Sequence, residues 1–408
     1  MRRTDPAEPV LAKSQEQIDE FCAYCQRNGR FAFDTEFVTE DRYETEVCLL
    51  QLATAQDVLL VDPFEGLNLE PIWNLVCEDA TETVVHAGQE DLALCMQHTG
   101  KVPRRVFDVQ LAAGLIGWEY PISLQKLVQA VRHVRLHKSK TLTDWRKRPL
   151  TLSQLRYAAE DVSHLLLIRD HIGDRLGERE RLEWAAEEFK TLEDPVLYRR
   201  VEEDRLMHFK GAGALKGAQL AILKEVLDWR EALARTRNRP ARTVIKDHIL
   251  IEVAKHGLES FGDIRELRGL NLADRDVHAL GKVVQAAALL PPDRWPQSRE
   301  REFESPAEEV LIPLLTAVLR SFSRRHGVAY GLLATKRSLR QLIRFVIEGS
   351  ASHLKSDITL MTGWRGRFVG QLLLEILSGR SGLRVRTDHD EAIIDIAPSA
   401  ERKAKSSP

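Results

Sequence analysis

Asp34 and Glu36 stand two residues apart at the end of a short apolar run, FAFDTEF. Strand side chains alternate between faces, so residues i and i+2 project together. The two acids therefore form a carboxylate pair on one face, or simply open a polar loop. Asp91 follows the apolar segment TVVHA (83–87) at the start of a helical stretch, where an acid also suits the helix dipole. Tyr157 and Asp161 are four residues apart in a long helical segment and share a helix face, as either a functional pair or the edge of an amphipathic stripe. Singly, each has an ordinary structural explanation. Jointly, two acids from a strand end and two from helices converging on one pocket would repel one another unless cations occupied it. Hard oxygen ligands favour Mg²⁺ or Mn²⁺ over zinc, and two such ions roughly 4 Å apart form a clamp for phosphoryl transfer. His86, at a strand end before Gly88, is either a substrate contact or a buried structural histidine.

The elements that must position these residues are legible. Residues 14–28 read as a helix, with Ser14 and Gln17 in capping-box spacing and Gly29 as a stop. Strands are expected at 30–37, 45–54, 57–62, 83–87 and 105–109, the second and third forming a hairpin, with helices at 68–77 and 89–100. Alternating strands and helices argue for an α/β domain. From about residue 151 strand signals almost vanish. TLSQLRYAAEDVSHLLLIRDHI (151–172) reads as one long helix capped by Thr151 and Gln154, and another helix runs through 178–192. Three or four amphipathic helices follow over 214–290. PPDRWPQSRERE (291–302) reads as a linker, which implies a separable third unit with few contacts across it. Ser305, Pro306 and Glu308 start a further helix. Residues 305–380 form a second helical bundle, whose order of helices resembles the first. The tail after about 387 is polar, with EAIIDIA (391–397) as a candidate short strand.

With 408 residues, two to four domains are expected at roughly 100–200 residues each. No apolar run approaches the roughly 18 residues of a membrane span, and the two N-terminal arginines have no apolar stretch behind them. Five cysteines, all between Cys22 and Cys95, argue against a disulfide framework and for a cytoplasmic protein. Cys22 and Cys25 have zinc spacing but no second pair to close a site. Gly211, Gly213 and Gly217 with Lys216 form no phosphate-binding loop, so no nucleotide cofactor is expected. Residues 1–100 carry 20 acidic and 6 basic side chains, against 41 and 53 in the remainder. This imbalance suits metal-holding acids beside surfaces for a polyanion. Two basic runs fit that role: Arg132, Arg135, Lys138, Lys140, Arg146, Lys147 and Arg148 in 131–150, and Arg320, Arg324, Arg325, Lys336, Arg337, Arg340 and Arg344 in 310–347. Solvated helix faces are the alternative for both.

The joint pattern resembles ribonuclease D and the wider DEDD superfamily of 3′–5′ exonucleases. FDTEF (33–37), VVHAGQEDL (84–92) and YAAEDV (157–162) look like the three family motifs, and the tyrosine four before the aspartate is that of the tyrosine branch. SKTLTDWRKRPLTLSQLRYAAEDV (139–162) and FDVQLAAGLIG (107–117) are similar to family segments as well, so the resemblance covers about 25–175. Residues 214–292 resemble the HRDC domain that follows the nuclease in this family, and 305–385, with GWRGRFVGQLLLEILSG, look like a degenerate second copy. One departure is the acidic loop VTEDRYETEVCLLQ (38–51), which keeps Tyr43, Leu49 and Gln51 but lacks the proline common after the first motif.

The resemblance implies a ribonuclease H-like mixed sheet flanked by helices over 1–200, an HRDC domain over 210–292, a second HRDC-like helical domain over 303–386 and a polar tail over 387–408. It implies two divalent cations held by Asp34, Glu36, Asp91 and Asp161, with Tyr157 orienting the attacking water. Thr35, Phe37, His86, Trp145, Arg146 and Arg148 would contact the substrate. The expected substrate is RNA with a free 3′ end, such as a tRNA precursor, and the product a nucleoside 5′-monophosphate. A DNA 3′–5′ exonuclease and a nuclease-fold RNA-binding scaffold are the alternatives.

Overall fold

The computed structural model describes residues 9–136, 143–198, 206, 209–257, 261–296, 304–348, 358–388 and 391–398. Lys138 and Lys140 of the first basic run, residues 297–302 of the 291–302 linker and the end of the tail lie outside the described residues.

The N-terminal part runs β1 (Val10–Leu11), α1 (Gln15–Asn28), β2 (Arg30–Val38), β3 (Glu46–Ala53), β4 (Val58–Val61), α2 (Glu70–Cys77), β5 (Glu82–Val85), α3 (Gln89–Thr99), β6 (Val106–Asp108), α4 (Val109–Leu115), α5 (Leu124–Arg132), α6 (Leu152–Ser163), α7 (Leu165–Glu178) and α8 (Leu182–Thr191). The capping box of Ser14 and Gln17 forms, and Gly29 ends α1 at φ 71°. The six strands make one mixed sheet in the order β1-β4-β3-β2-β5-β6. β2 is central, antiparallel to β3 and parallel to β5. Its side chains Phe31 and Phe33 pack with α1, α2 and α3 in one core, while Ala32 belongs to a second core with α4, α6, α7 and α8. Two features differ from the sequence reading. β1 pairs with β4 through Val10 and Leu11 only, too short a run for periodicity to register. The helix expected over 151–172 breaks at buried His164, because its halves pack in different directions: α6 lies across β2, β3 and β4, whereas α7 leads from β2 toward β5 and α4.

After α9 (Pro195–Tyr198), a helical unit follows: α10 (Ala218–Arg237), α11 (Ala241–Val244), α12 (Asp247–His256), α13 (Phe261–Arg265) and α14 (Asp274–Ala288). It has a hydrophobic core of its own around Leu223, Val226, Leu250 and Leu280. The last part comprises α15 (Pro306–His326), α16 (Tyr330–Leu333), α17 (Lys336–Glu348), α18 (Gly363–Arg365), a π turn (Gly366–Gly370), α19 (Gln371–Leu377) and a hairpin of β7 (Ser381–Asp388) and β8 (Glu391–Pro398). Both helical parts run long helix, four-residue helix, medium helix. β8 coincides with the candidate strand at 391–397 and pairs with β7, whose residues 381–386 fall in the stretch expected to end the helical domain; residues 399–408 of the tail lie outside the described residues.

The expectation of a separable third unit is corrected here. Leu315, Leu319, Leu332, Leu333, Trp364 and Val369 belong to the same continuous core as Val109, Ala113, Leu127 and Ile168 of the nuclease part. Trp184 of α8 stacks on Trp364 at 4.8 Å between ring centroids. Glu188 accepts hydrogen bonds from Trp364 Nε1 at 2.6 Å and from Arg365 at 2.5 and 2.9 Å. Arg181 donates to the carbonyls of Leu115, Gly327 and His326, each at 2.6 Å. Gly117, at φ +93°, lets the Gly327 backbone approach where a Cβ would stand 2.8 Å from it. A proline- and charge-rich connection reports only that the connection is exposed. It carries no information about whether the apolar faces on either side pack together.

The second basic run is also re-read. Arg325 pairs with Asp395, Lys336 and Arg340 with Glu304, and Arg344 with Glu308. Arg320 lies over the Tyr330 ring at 4.8 Å. Glu304 and Glu308 lie just before the 310–347 window and Asp395 well after it, on β8, so much of this run latches elements together.

Candidate active site

β2 delivers Asp34 and Glu36 near its C-terminal end, paired in register with Gln51 and Leu49 of β3. A register shift between Glu36 and Phe37 bends the strand there, as bulges do beside many sites. α3 begins just after β5 and places buried Asp91 in its first turn. α6 packs across β2, β3 and β4 and places Tyr157 and Asp161 one turn apart. The four acids lie near enough to shift one another's protonation, and Tyr157 hydrogen-bonds Asp161. Asp34 is held well above the usual carboxylate range by burial, then by Asp91, Asp161 and Glu36. Burial first, then Asp161 and Asp91, pushes Glu36 up to about 8. Burial pushes Asp161 up to about 7, with Glu160 and Asp91 adding to the rise. Asp91 rises to about 6 by burial, against the lowering effect of its hydrogen bonds with Thr35.

These shifts are the signature of clustered acids without a compensating charge. Among the described residues, no lysine, arginine or histidine forms an ion pair with any of the four. They do not close on one point, since no three Asp, Glu, His or Cys side chains of the described residues form a metal cage. The chemistry of the donor set nevertheless fits hard divalent cations: it consists of carboxylate oxygens alone, with no thiol or imidazole. Gln51, the direct cross-strand neighbour of Asp34, is fully buried with neither amide atom hydrogen-bonded within the protein. A buried orphan amide normally has a partner, and here it adjoins the acid pocket. In the sequence Gln51 stands out only as a kept motif position. The available signal was one amide inside the apolar strand CLLQLA.

Tyr157 hydrogen-bonds Asp161, and burial followed by the charges of Asp161, Glu36 and Asp34 raises its phenol above the ordinary range. It therefore stays protonated and serves as a donor, not a base. A cleft of about 450 Å³ opens beside Glu36, lined by Phe37, Val38, Thr39, Glu40, Thr143, Asp144, Trp145 and Arg146. Phe37, Trp145 and Arg146 thus reach the cleft expected of substrate contacts. Arg146 is braced by Asp41 at 2.6 Å and Asp144 at 3.3 Å, so the acidic loop holds one wall.

The other three expected contacts are placed differently. Thr35 is buried and donates its hydroxyl to Asp91, which orients that carboxylate. His86 bonds the Ile122 carbonyl through Nε2 at 2.9 Å, the structural alternative. Arg148 is a correction: its guanidinium donates to Asp62, to Cys48 O at 2.8 Å, to Trp145 O at 2.6 Å and to Lys147 O at 3.0 Å. All five of its N–H donors are used in tying the 143–150 loop to the sheet. Tyr43 likewise reaches away, donating to Glu231 of α10 at 2.6 Å. Cys22 and Cys25 are packing residues in the α1 core.

A mixed sheet presenting four clustered acids, followed by a helical unit with its own core, defines a 3′–5′ exonuclease carrying an HRDC domain. Residues 9–177 match the family described as 3′–5′ exonuclease, and 219–279 match the HRDC domain. The chain is 31% identical to ribonuclease D of Bartonella henselae over 361 residues, 87% of each chain. It is 29% identical to ribonuclease D of Granulibacter bethesdensis, covering 92% of this chain and 94% of that one. The crystal structure of Escherichia coli RNase D, an exoribonuclease involved in structured RNA processing, superposes with a TM-score of 0.78 at 27% identity, covering 91% of this chain and 98% of that one. The chain belongs to the ribonuclease D family and is a 3′–5′ exoribonuclease. The exonucleases of this superfamily depend on divalent metal. Among the described residues no helix is long and apolar enough to cross a membrane.

Proposed function

We propose that the chain trims structured RNA from the 3′ end, tRNA precursors among its substrates, using two divalent cations, Mg²⁺ or Mn²⁺, held by Asp34, Glu36, Asp91 and Asp161. The observation that carries this reading is the cluster of four acids, with no ion-pairing base among the described residues, beside a cleft walled by Phe37 and Trp145. When bound, the cations supply an activated water and neutralise charge at the departing 3′ oxygen. The chain's own residues do the rest. Thr35 fixes the Asp91 carboxylate, Tyr157 holds Asp161 and donates toward the attacking water, and Arg146 offers positive charge at the mouth. Residues 1–200 form the catalytic part, 210–292 grip RNA, and 303–386 buttress the nuclease sheet. The test is digestion of 3′-labelled and 5′-labelled RNA with Mg²⁺, Mn²⁺ or EDTA. Mononucleotides released first from the 3′ label, only with metal, are expected. Equal cleavage of a DNA oligonucleotide would favour the DNA exonuclease alternative, and binding without cleavage the scaffold.

The raised acids also predict how metal and pH combine. Their protons are held in the folded chain above the ordinary carboxylate range, so the stability they contribute is full at low pH. It is lost as pH rises through about 6, 7 and 8 for Asp91, Asp161 and Glu36. A cation displaces these protons, so its binding strengthens over the same window. The metal-free melting temperature should fall between pH 5 and pH 8, and Mg²⁺ should raise it more at pH 8 than at pH 5. Equal shifts at both values would place the metal elsewhere.

Tyr157→Phe keeps the ring and its packing near Trp145, at 6.1 Å, and removes only the hydroxyl. Turnover should fall by about 10²–10⁴-fold, the contribution of a positioned proton-donating group, while melting temperature and RNA affinity hold. Near-normal turnover would reduce Tyr157 to a packing residue.

A further inference from the structure

The acid pocket leaves one reactive pair unused. Cys77 ends α2 and is partly exposed, whereas Cys95 is fully buried on α3. Their sulfurs lie 3.3 Å apart, a hydrogen-bonding approach between two thiols. α2 and α3 pack side by side, so the juxtaposition belongs to the core and not to a chance surface encounter. We propose that Cys77 and Cys95 are a peroxide-oxidisable dithiol that forms a reversible disulfide and, through α3, controls the position of Asp91.

The two sulfurs are chemically unequal. The hydrogen bond from Cys95 lowers the Cys77 thiol to about 7, despite the opposing effect of burial, with Thr99, Lys101 and Arg104 assisting. Cys95 is raised by the same bond and by burial, so of the two it is the one that keeps its proton. The thiolate is the nucleophile, and Cys77 is also the one that peroxide can reach. The other three cysteines serve as internal contrasts: Cys22, Cys25 and Cys48 are buried, and their thiols are pushed up by that burial.

The chemistry balances with hydrogen peroxide as the oxidant. The Cys77 thiolate attacks one peroxide oxygen. An S–O bond forms, the O–O bond breaks, and hydroxide leaves to take up a proton as water. The Cys95 sulfur gives its proton to solvent, attacks the Cys77 sulfenic sulfur and expels a second hydroxide, which also becomes water. Two thiols and one peroxide thus yield one disulfide and two waters.

Cys95 lies one helical turn after Asp91 on α3. Bond formation must draw the sulfurs about 1 Å closer, and α3 carries the acid with it. Metal sites tolerate about ±0.2 Å in ligand distance, and a displacement of about 1 Å at a reacting centre costs up to about 10²-fold. The oxidised protein should therefore lose at least tenfold in turnover and recover it with dithiothreitol.

The test treats the full chain with a small excess of hydrogen peroxide, blocks free thiols with N-ethylmaleimide, maps disulfides by peptide mass spectrometry and measures RNA turnover. A 77–95 disulfide with reversible inactivation is expected. Cys77→Ser and Cys95→Ser should keep basal turnover and lose the peroxide response. Oxidation at other cysteines with the 77–95 pair left reduced overturns the site. A 77–95 disulfide with unchanged turnover overturns the coupling to Asp91, and inactivation that persists in Cys77→Ser overturns both. The disulfide map needs no active nuclease, so its failure is distinguishable from failure of the proposed metal mechanism.

Discussion

Asp34→Asn should reduce turnover by about 10³-fold or more while leaving the folded chain more stable without metal. Asp34 is the acid that Asp91, Asp161 and Glu36 all oppose, so it stands at the electrostatic centre of the pocket. Asparagine keeps the shape and removes the charge. Divalent metal would lose one of its proposed carboxylate ligands, and catalytic metals contribute several kcal/mol of charge stabilisation, each 1.36 kcal/mol being tenfold in rate. Removing a buried like charge also relieves repulsion, which should raise the metal-free melting temperature at pH 8 and shrink the shift that Mg²⁺ induces. RNA binding in EDTA should persist, because the cleft residues Phe37, Trp145 and Arg146 are untouched. A variant that turns over RNA within tenfold of the parent would remove Asp34 from the metal site. One that loses turnover together with its melting transition would show a folding defect instead.

The second large effect concerns the C-terminal part. Ending the chain at residue 296 should abolish activity by unfolding the nuclease part, although every acid of the pocket remains. The cut removes Trp364, Phe368, Leu332 and Leu333, and uncovers Trp184, Leu115 and Ile116 of the shared core. Exposing these three side chains at about 2 kcal/mol each already reaches the lower end of the stability of a typical domain, about 5–15 kcal/mol. It also strands the guanidinium of Arg181 and the carboxylate of Glu188, which lose their partners from 326–365. Aggregation or loss of a cooperative melt is the expected outcome. A soluble 1–296 chain with normal turnover and melting temperature would show that the shared core contributes little.

Much of the catalytic half was legible because local chemistry and periodicity suffice for it. Asp34 and Glu36 at i and i+2 on an apolar strand, Asp91 opening a helix, and Tyr157 four before Asp161 are short-range patterns, and the caps at Ser14, Thr151 and Ser305 form as expected. Spacing within one element determines which side chains share a face, so it paired Asp34 with Glu36 and Tyr157 with Asp161. It did not determine what a long polar side chain meets across the fold. Arg148 and Arg146 are two residues apart in one basic run, yet Arg148 is consumed by Asp62 and three carbonyls while Arg146 stays at the cleft. The run at 310–347 looked free of acids because Glu304, Glu308 and Asp395 lie outside it in the chain and beside it in space. The apolar faces of 305–377 likewise carry no mark of which core they fill. The hydrophobic effect is non-directional, so amphipathic patterning specifies that a face is buried and leaves the choice of partner to tertiary packing. Here that partner is the nuclease part itself, held by Trp184, Arg181 and Glu188.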